Sequence, residues 1–496
     1  MSANFIPYDR NQMFLLPLSS DEFVPPLHLV RVIEAIVDEL DLSEFYAAYS
    51  DEGRPAYHPK MMLTLLIYSY AIGVRSSRKI AQRLESDMVY LHISGLQRPD
   101  FRTISDFRKN HLPLFKSLFK RVVVLCHQLG MASVGHIAID GTKLDASASR
   151  SQRFTPERLA KLERDVEAQL QQILDAAEAI DQEEDTICGS DKQGNELPQE
   201  LADTRRLHQK IQEAKRYLEH HELSKINLTD MDSRVMKTGS GGWEDGYNAQ
   251  VAVDANKQII VAADVVTDQH DKHQFIPIYE QTVENLAGVI PDEVSADAGY
   301  ASNAVYEYIN DHQITALVPD QLFRQEVKDG QEHIPPFDRR QFRIDSATGE
   351  VRCPANFPMA FQWTETGNSS SRDVYQGTGC PSCPHRQQCI SKNSTRFRTI
   401  SLSKVDPIVA TIRRLLMTEE GQQHYLKRLS TVEPVFGQMK RQLGFTYLLL
   451  RGLEKVKAEF NLMCIVHNIK KLAKKLGAPS ANAIRGIRFQ IQPAQT

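Results

Sequence analysis

The chain has 496 residues, 41% hydrophobic and 25% charged, with 59 Lys and Arg against 63 Asp and Glu for a net charge of -4. At about 150 residues per domain this length predicts roughly three domains with ample core, and the near balance of charge excludes a uniformly basic nucleic-acid coat. Seven cysteines do not make a disulfide scaffold at this length and point to a reducing, cytoplasmic setting; the opening MSANFIPYDR has no secretory pattern, and the apolar run 61–74 is shorter than the ~20 residues of a membrane span.

Charge separates by region. Residues 75–121 carry eleven Lys and Arg against four Asp and Glu, residues 155–186 three against ten, and residues 423–496 thirteen against three. Two basic modules flank an acidic one.

Residues 26–130 read as helical. Leu29, Val32, Ile36 and Leu40 recur at spacings of three and four, widened by Ile33 and Val37 into an apolar stripe. Pro59 suits a first helical turn, and Met61 to Ile72 is apolar on most sides, which predicts a buried helix. In the next segment Ser76 or Ser77 can cap a short helix whose polar side carries Arg78, Lys79 and Arg83. PDFRTISDFRKNH follows, again short and basic. Two short basic helices around a turn fit a helix-turn-helix-like DNA reader; the plainer alternative is a helical domain with solvated Arg and Lys.

Leu159, Leu162, Val166, Leu170, Ile173, Ala177 and Ile180 step by threes and fours, and after a loop with Gly189, Gly194 and Pro198 the pattern resumes at Leu207, Ile211, Ala214 and Leu218. This predicts a helical hairpin with an acidic first arm and a basic second arm, inserted between strands. Those strands are GHIAID at 135–140, two more around a turn at Asp254, one in EVSADAGY ending at Asp297, and ITALVP at 314–319. Helices are expected at 271–287, near 303–312 and from Val432. Three strands, then helix, strand, helix, strand, helix is the order of an RNase H-like mixed sheet.

Asp140 and Asp297 end apolar strands and precede small residues, Gly141 and Ala298-Gly299. Carboxylates at strand ends beside permissive turns face the crevice where α/β sheets bind ligands. Two such acids and a third on a helix can hold two Mg²⁺ ions about 4 Å apart that clamp a phosphodiester. Glu433 is the candidate third acid, with Lys440 seven residues on. Ser430-x-x-Glu433 is equally a capping box with Pro434 in the first turn, so spacing alone leaves catalysis and capping both open.

The chain resembles the DDE transposases of bacterial insertion sequences over nearly its whole length. The resemblance rests on AIDGTKLDAS around Asp140, GYNAQVAVD on the second strand, SADAGYAS around Asp297, and the glutamate helix. Many such enzymes carry Tyr-x2-Arg-x3-Glu-x6-Lys; here Tyr425-x2-Arg428 and Glu433-x6-Lys440 match, but four residues separate Arg428 from Glu433. The resemblance implies a transposase that binds terminal inverted repeats, cleaves the element's ends and joins the freed 3′-OH to target DNA. It implies Asp140, Asp297 and Glu433 as ligands of two Mg²⁺ (or Mn²⁺) ions, Lys440 and Arg428 on phosphate, Tyr425 near the scissile strand, and a homodimer at synapsis.

Among competing acids, Asp145 lies past the apolar strand, Asp254 reads as a hairpin-turn residue, and Asp268 or Asp271 reads as the cap of the following helix rather than part of a metal cluster with His270 and His273. Cys353, Cys380, Cys383 and Cys389 lie in a Gly-, Pro- and Ser-rich stretch poor in apolar residues. The Cys380-x2-Cys383 knuckle makes a structural Zn²⁺ site the expectation, with His385 able to replace one thiolate. Cys126 and Cys464 read as core and Cys188 as a loop thiol. Lys455, Lys457, Lys470, Lys471, Lys474 and Lys475 make the last helix a candidate for contact with the DNA backbone.

The expected fold class is α/β: an RNase H-like mixed-sheet core, an all-α N-terminal domain, a helical-hairpin insertion and a small zinc-ribbon-like insertion. The expected boundaries are 1–130 for the DNA-binding helices, 131–154 for the first core strand and 155–228 for the hairpin. The core resumes over 229–325, the cysteine-rich insertion spans 326–400, and the glutamate helix and basic C-terminal helices occupy 401–496. Two other readings remain open on sequence: an RNase H-like nuclease without strand transfer, and a non-catalytic DNA-binding regulator.

Overall fold

In the computed structural model the described residues are 19–49, 55–188, 199–237, 241–328, 331–332, 334–344, 348, 350–366, 371–390 and 397–476, with the backbone alone for 177–188, 199, 328, 331–332 and 476. They divide into two compact units: one of residues up to 126 with 439–445 and those from 458 on, the other of 127–438 with 446–457.

The first unit is all helix: α1 (Leu29–Glu39), α2 (Ser43–Ala47), α3 (Pro59–Ala71), α4 (Ser77–Arg83), α5 (Met88–Ser94), α6 (Phe101–Asn110) and α7 (Leu112–Gln128). The expected stripe of α1 is buried at Val32, Ile33, Ile36 and Val37. Helix α3 is buried almost all round, as its composition predicts. Its two hydroxyls are satisfied within the helix: Thr64 Oγ1 donates to Lys60 O at 2.9 Å and Ser69 Oγ to Leu65 O at 2.6 Å. Arg108 of α6 is buried and donates to Tyr70 OH (2.9 Å), Arg75 O (3.2 Å) and Ser77 Oγ (3.2 Å), so one guanidinium ties α3, α4 and α6 together. Two expectations need correction. A third short helix, α5, separates the two basic ones, so they are not joined by a simple turn. Ser76 stands at the N-cap of α4 but makes no side-chain cap bond.

The second unit is built on β1 (His136–Asp145). A short pair, β2 (Arg153–Phe154) with β3 (Ile226–Asn227), roots the hairpin of α8 (Pro156–Cys188) and α9 (Gln199–His220). Leu159, Val166, Ile211, Ala214 and Leu218 form the hairpin core with Ile226 and Leu228. The arms pair electrostatically as expected, through Lys215 and Glu163 at 2.6 Å. Leu207, expected on the apolar stripe, is exposed instead. The loop with Gly189, Gly194 and Pro198, and the side chains of Ala177, Ile180 and Cys188, lie outside the described residues.

The main sheet adds β4 (Arg234–Lys237), β5 (Trp243–Asp254), β6 (Ile260–Val266), β7 (Glu293–Ser295) and β8 (Ala316–Leu317). Its order is β6-β5-β1-β7-β8, with β4 pairing the first residues of β5 on the edge that β6 also uses. β1 is antiparallel to β5 and parallel to β7, and β7 is parallel to β8. Helix α10 (Phe275–Asn285) packs on β5 and β6, and α11 (Asn303–Asp311) lies between β7 and β8 in sequence.

After α12 (Phe323–Glu326) and a small pair, β9 (Val327–Lys328) with β10 (Gln331–Glu332), comes an antiparallel sheet. Its strands are β11 (Arg343–Ile344), β12 (Val351–Arg352), β13 (Pro358–Thr366), β14 (Ser371–Gly377) and, beyond α13 (Arg386–Cys389), β15 (Thr399–Ser403). Phe342, Val351, Met359, Ile400 and Leu402 make its small core. Helices α14 (Asp406–Met417), α15 (Glu419–Gly437) and α16 (Leu453–Leu476) complete the chain, α16 starting in the second unit and continuing in the first.

Helix α15 starts well before the expected Val432. Thr418 is its N-cap and accepts from Gly421 N at 3.0 Å. Ser430 therefore sits mid-helix, its hydroxyl donating to Lys427 O, and the capping-box reading of Ser430 and Glu433 fails. Pro434 lies inside the helix. It has no N–H for Ser430 O, and that carbonyl instead accepts from Gln258 Nε2 at 3.0 Å. A π-helical turn, 438–442, follows.

Candidate active site

Parallel pairing of β1 with β7 sets Ala138 opposite Ser295. Asp140 and Asp297 each lie two residues beyond that last pair, and the Asp297 carboxylate is close enough to act on the Asp140 carboxyl. β1 itself runs on to Asp145 against β5, further than the expected end at 140, whereas β7 stops at Ser295. Asp297 then caps a 3₁₀ turn, its Oδ1 accepting from Gly299 N at 2.8 Å.

Asp140 Oδ1 accepts from Gly141 N at 2.8 Å, and Arg428 Nη1 of α15 donates to Asp140 Oδ2 at 3.1 Å. Burial pushes the Asp140 carboxyl up to about 6; the Asp297 and Asp271 carboxylates add to the rise, and Arg428 and the Gly141 N–H oppose it. Arg428 is buried, its guanidinium 5.6 Å from the centroid of the Tyr425 ring, and both Arg428 Nε and Tyr425 OH are buried without a hydrogen-bond partner among the described residues. Arg428, expected on phosphate, is thus committed to Asp140 in this state.

Asp271 is the residue that sequence reasoning misplaced. Helix α10 has Gln274 at its N-cap with no side-chain cap bond, so neither Asp268 nor Asp271 caps it. Asp268 accepts from Gln274 Nε2 at 2.9 Å, and Asp271 turns to the sheet. Asp271 Oδ1 accepts from Asn248 Nδ2 and Gln250 Nε2, both at 2.7 Å, and lies 3.5 Å from Lys143 Nζ. Burial lowers the Lys143 ammonium pKa, while Asp271, Asp297 and Asp140 act to raise it, so this lysine stands among all three aspartates. The sequence did carry a signal: Asn248 and Gln250 are wholly buried on the inner strand β5, and buried amides need acceptors.

The glycines beside the acids are there for space rather than for turning, since neither has a positive φ. A Cβ on Gly141 would stand 2.5 Å from Gln250 Nε2 and 3.0 Å from Asp271 Oδ1; one on Gly299 would stand 2.9 Å from Asp297 Oδ1.

Glu433 is exposed on α15 and makes no hydrogen bond or ion pair among the described residues. The buried face of the helix is Arg428, Thr431, Val432 and Val435, and five residues from Arg428 is a rotation of about 140°, which takes Glu433 off that face. Lys440 lies in the π turn, so its seven-residue spacing from Glu433 is not one of regular α-helix. Of the other acids, Asp145 is exposed and its backbone bridges to Tyr447, and Asp254 is buried, bonding the backbone of Val134 and Asn256 as a turn residue should.

Cys353, Cys380, Cys383 and Cys389 line one pocket together with Phe337, Phe357 and Arg398. Cys353 Sγ accepts from Phe357 N and Cys380 Sγ from Arg398 N, both at 3.4 Å. A Cβ on Gly377 would come within 2.6 Å of Cys380 Sγ, so the glycine leaves room for the sulfur. Burial raises the Cys389 thiol pKa, and the other three cysteines add to it. His385 is exposed and packs near Phe337, outside the pocket lining. Cys126 and Cys464 are core residues, as expected.

On the helical unit Arg78, Lys79 and Arg83 are exposed on α4. Arg78 covers the Phe101 ring at 5.2 Å and Arg83 pairs with Asp87 at 3.0 Å, while Lys79 has no partner among the described residues. Two lysines of the last helix are used internally: Lys457 pairs with Asp264 at 3.1 Å and Lys470 donates to Ala71 O at 3.0 Å.

Residues 352–473 match the family model described as Transposase DDE domain, and residues 18–110 match that described as Transposase domain (DUF772). The first match takes in the four cysteines and all of α15; Asp140 and Asp297 lie outside both. No curated protein and no solved structure matches the chain. A mixed α/β chain with both domains is a transposase, and its function is transposition. More particularly, it belongs to the DDE transposases of the insertion-sequence type. Family membership implies DNA binding and use of a divalent metal. Among the described residues no helix is long and apolar enough to cross a membrane.

Proposed function

We propose that the second unit is an RNase H-like catalytic core that cleaves the ends of an insertion sequence and transfers the freed 3′-OH to target DNA. Asp140, Asp297 and Glu433 are its catalytic acids and would hold two Mg²⁺ (or Mn²⁺) ions. The observation that supports this reading is that the Asp140 carboxyl feels the Asp297 carboxylate and accepts from a buried arginine of the glutamate helix. The donors fit the metal: hard carboxylate oxygens, crowded so that Asp297 and Asp271 disfavour ionisation of Asp140, a repulsion that a bound cation relieves. Bound ions would activate the attacking oxygen and stabilise the leaving one. Arg428 holds Asp140 in place meanwhile, and Tyr425 and Lys440 lie on the segment that would meet the scissile strand and its phosphates. The exposed basic side of α4, with Arg78, Lys79 and Arg83, would bind the terminal repeats within a DNA-binding region at 1–130, and a homodimer would join two ends in the cytoplasm.

The cysteine pocket would hold one structural Zn²⁺ in a zinc-ribbon-like insertion over 326–400. The chemistry suits zinc, with four thiols lining one cavity and two of them already accepting backbone N–H groups, bonds that favour the thiolate, though no three of the sulfurs lie within 4.8 Å of one another without the ion.

Alanine at Asp140, Asp297 or Glu433 should abolish Mg²⁺-dependent cleavage of end-bearing DNA and leave end binding nearly unchanged in a mobility-shift assay, because affinity comes from Lys and Arg. Near-parental cleavage by Glu433→Ala would remove that residue from the catalytic set.

A further inference from the structure

We propose that Asp271 is a further carboxylate of the metal site, supplying one oxygen to the divalent ion that Asp140 and Asp297 hold; this rests on the metal-site reading above. The two oxygens of Asp271 are treated differently by the fold. Oδ1 takes two amide hydrogen bonds at 2.7 Å and faces the Lys143 ammonium at 3.5 Å. Oδ2 accepts no hydrogen bond among the described residues. It lies 3.6 Å from the point where a Cβ of Gly299 would stand, and Asp297 Oδ1 lies 2.9 Å from that same point. The free oxygen of Asp271 and an oxygen of Asp297 therefore flank one space, which glycine keeps open, while in the metal-free structure Asp140, Asp271 and Asp297 do not bring three oxygens within 4.8 Å of one another, so the ion would draw them in.

The amides behind Asp271 have a fixed sense. Tyr300 OH, fully buried, donates to Gln250 Oε1, which leaves Gln250 Nε2 to donate to Asp271 and to Asn248 Oδ1 (3.0 Å). Asn248 and Gln250 are themselves fully buried. A chain of tyrosine, glutamine and asparagine thus pins one oxygen of a carboxylate and aims the other, which is how outer partners orient a ligand. A carboxylate that merely began a helix would need none of this, and Asp271 does not cap α10.

The test is a Mn²⁺ titration of the full-length protein without DNA, following free Mn²⁺ by electron paramagnetic resonance. Asp271→Asn keeps the shape and the acceptor for the two amides and replaces Oδ2 by an NH₂ that cannot ligate. Mn²⁺ affinity should fall by about 10- to 100-fold, with the melting temperature of the metal-free protein close to the parent's. Asp297→Asn should weaken binding likewise, and Asp268→Asn, which alters only the bond to Gln274, should not. Parental affinity in Asp271→Asn beside a loss in Asp297→Asn overturns the inference while sparing the site; parental affinity in both overturns the site reading as well. Should Asp271→Asn not fold, Asp271→Ser retains a hydroxyl acceptor for the amides and is scored in the same way.

Discussion

Replacing Arg428 with Met should destabilise the metal-free protein at pH 8 and leave it nearly untouched at pH 5. Methionine keeps the apolar stem beside Tyr425 and removes the charge 3.1 Å from Asp140 Oδ2. Breaking a buried ion pair costs about 3–5 kcal/mol, and the lower end applies here because the Asp140 side chain keeps 21% of its exposure. Without Arg428, which opposes the rise, the Asp140 carboxyl would go further up from about 6. The sign follows from proton binding. Asp140 is raised above its unfolded value, so between about pH 4 and pH 6 the native state holds the extra proton and stability falls as pH rises. In the variant that window extends upward. At pH 5 both proteins carry a protonated Asp140 and differ by almost nothing; at pH 8 the parent is ionised against its arginine, and the loss is up to about 3 kcal/mol. Urea unfolding at the two pH values, followed by far-ultraviolet circular dichroism, measures this; the two tryptophans, Trp243 and Trp363, are exposed in the folded chain and would report it poorly. An equal loss at pH 5 and pH 8 would mean that Arg428 acts by packing on Tyr425 and not by its charge.

The purified protein should carry about one Zn²⁺ per chain, lost when Cys380 and Cys383 are both serine, since a tetrahedral site does not survive losing half its ligands; metal analysis finding no zinc in folded, active protein would rule this out. In full-length protein, Lys79→Ala should reduce the slope of log affinity against log salt by about 0.9 for end-bearing DNA, and the triple variant of Arg78, Lys79 and Arg83 by up to about 2.7. Equal losses on specific and random DNA would mark phosphate contacts, and an unchanged slope would move recognition away from α4.

The frame of the second unit was legible because its strands announce themselves. GHIAID and the run from Asn248 to Asp254 are apolar enough to be inner strands. Order alone puts Asp140 on the first of them and Asp297 just past β7, but not the continuation of β1 to Asp145, because the segment after Gly141 loses its apolar run. Asp271 could not be read from order, because the polar loop TDQHDKHQ has no period, and a carboxylate before a helix resembles a cap. Its sign in the sequence is the pair of amides at 248 and 250, on an inner strand with no solvent to satisfy them. The start of α15 was misread for a different reason: Pro434 carries the sequence mark of a first helical turn, yet the packing of Val432 and Val435 and the cap at Thr418 hold the helix through it.

That proline leaves a mechanical signature. An α-helix resists bending because each turn is stitched to the next by its own main chain, but at the step from Ser430 to Pro434 the stitch is a borrowed one, lent by the side chain of Gln258. Such a side-chain bond is worth about 1 kcal/mol and can be exchanged for water, whereas an intact helical rung is buried in the cylinder. The backbone that bears Glu433 is thus pinned less firmly than that of β1, which holds Asp140 in a ladder with β5. Asp140 is mounted on a bench of paired strand, and Glu433 on an arm with one removable pin.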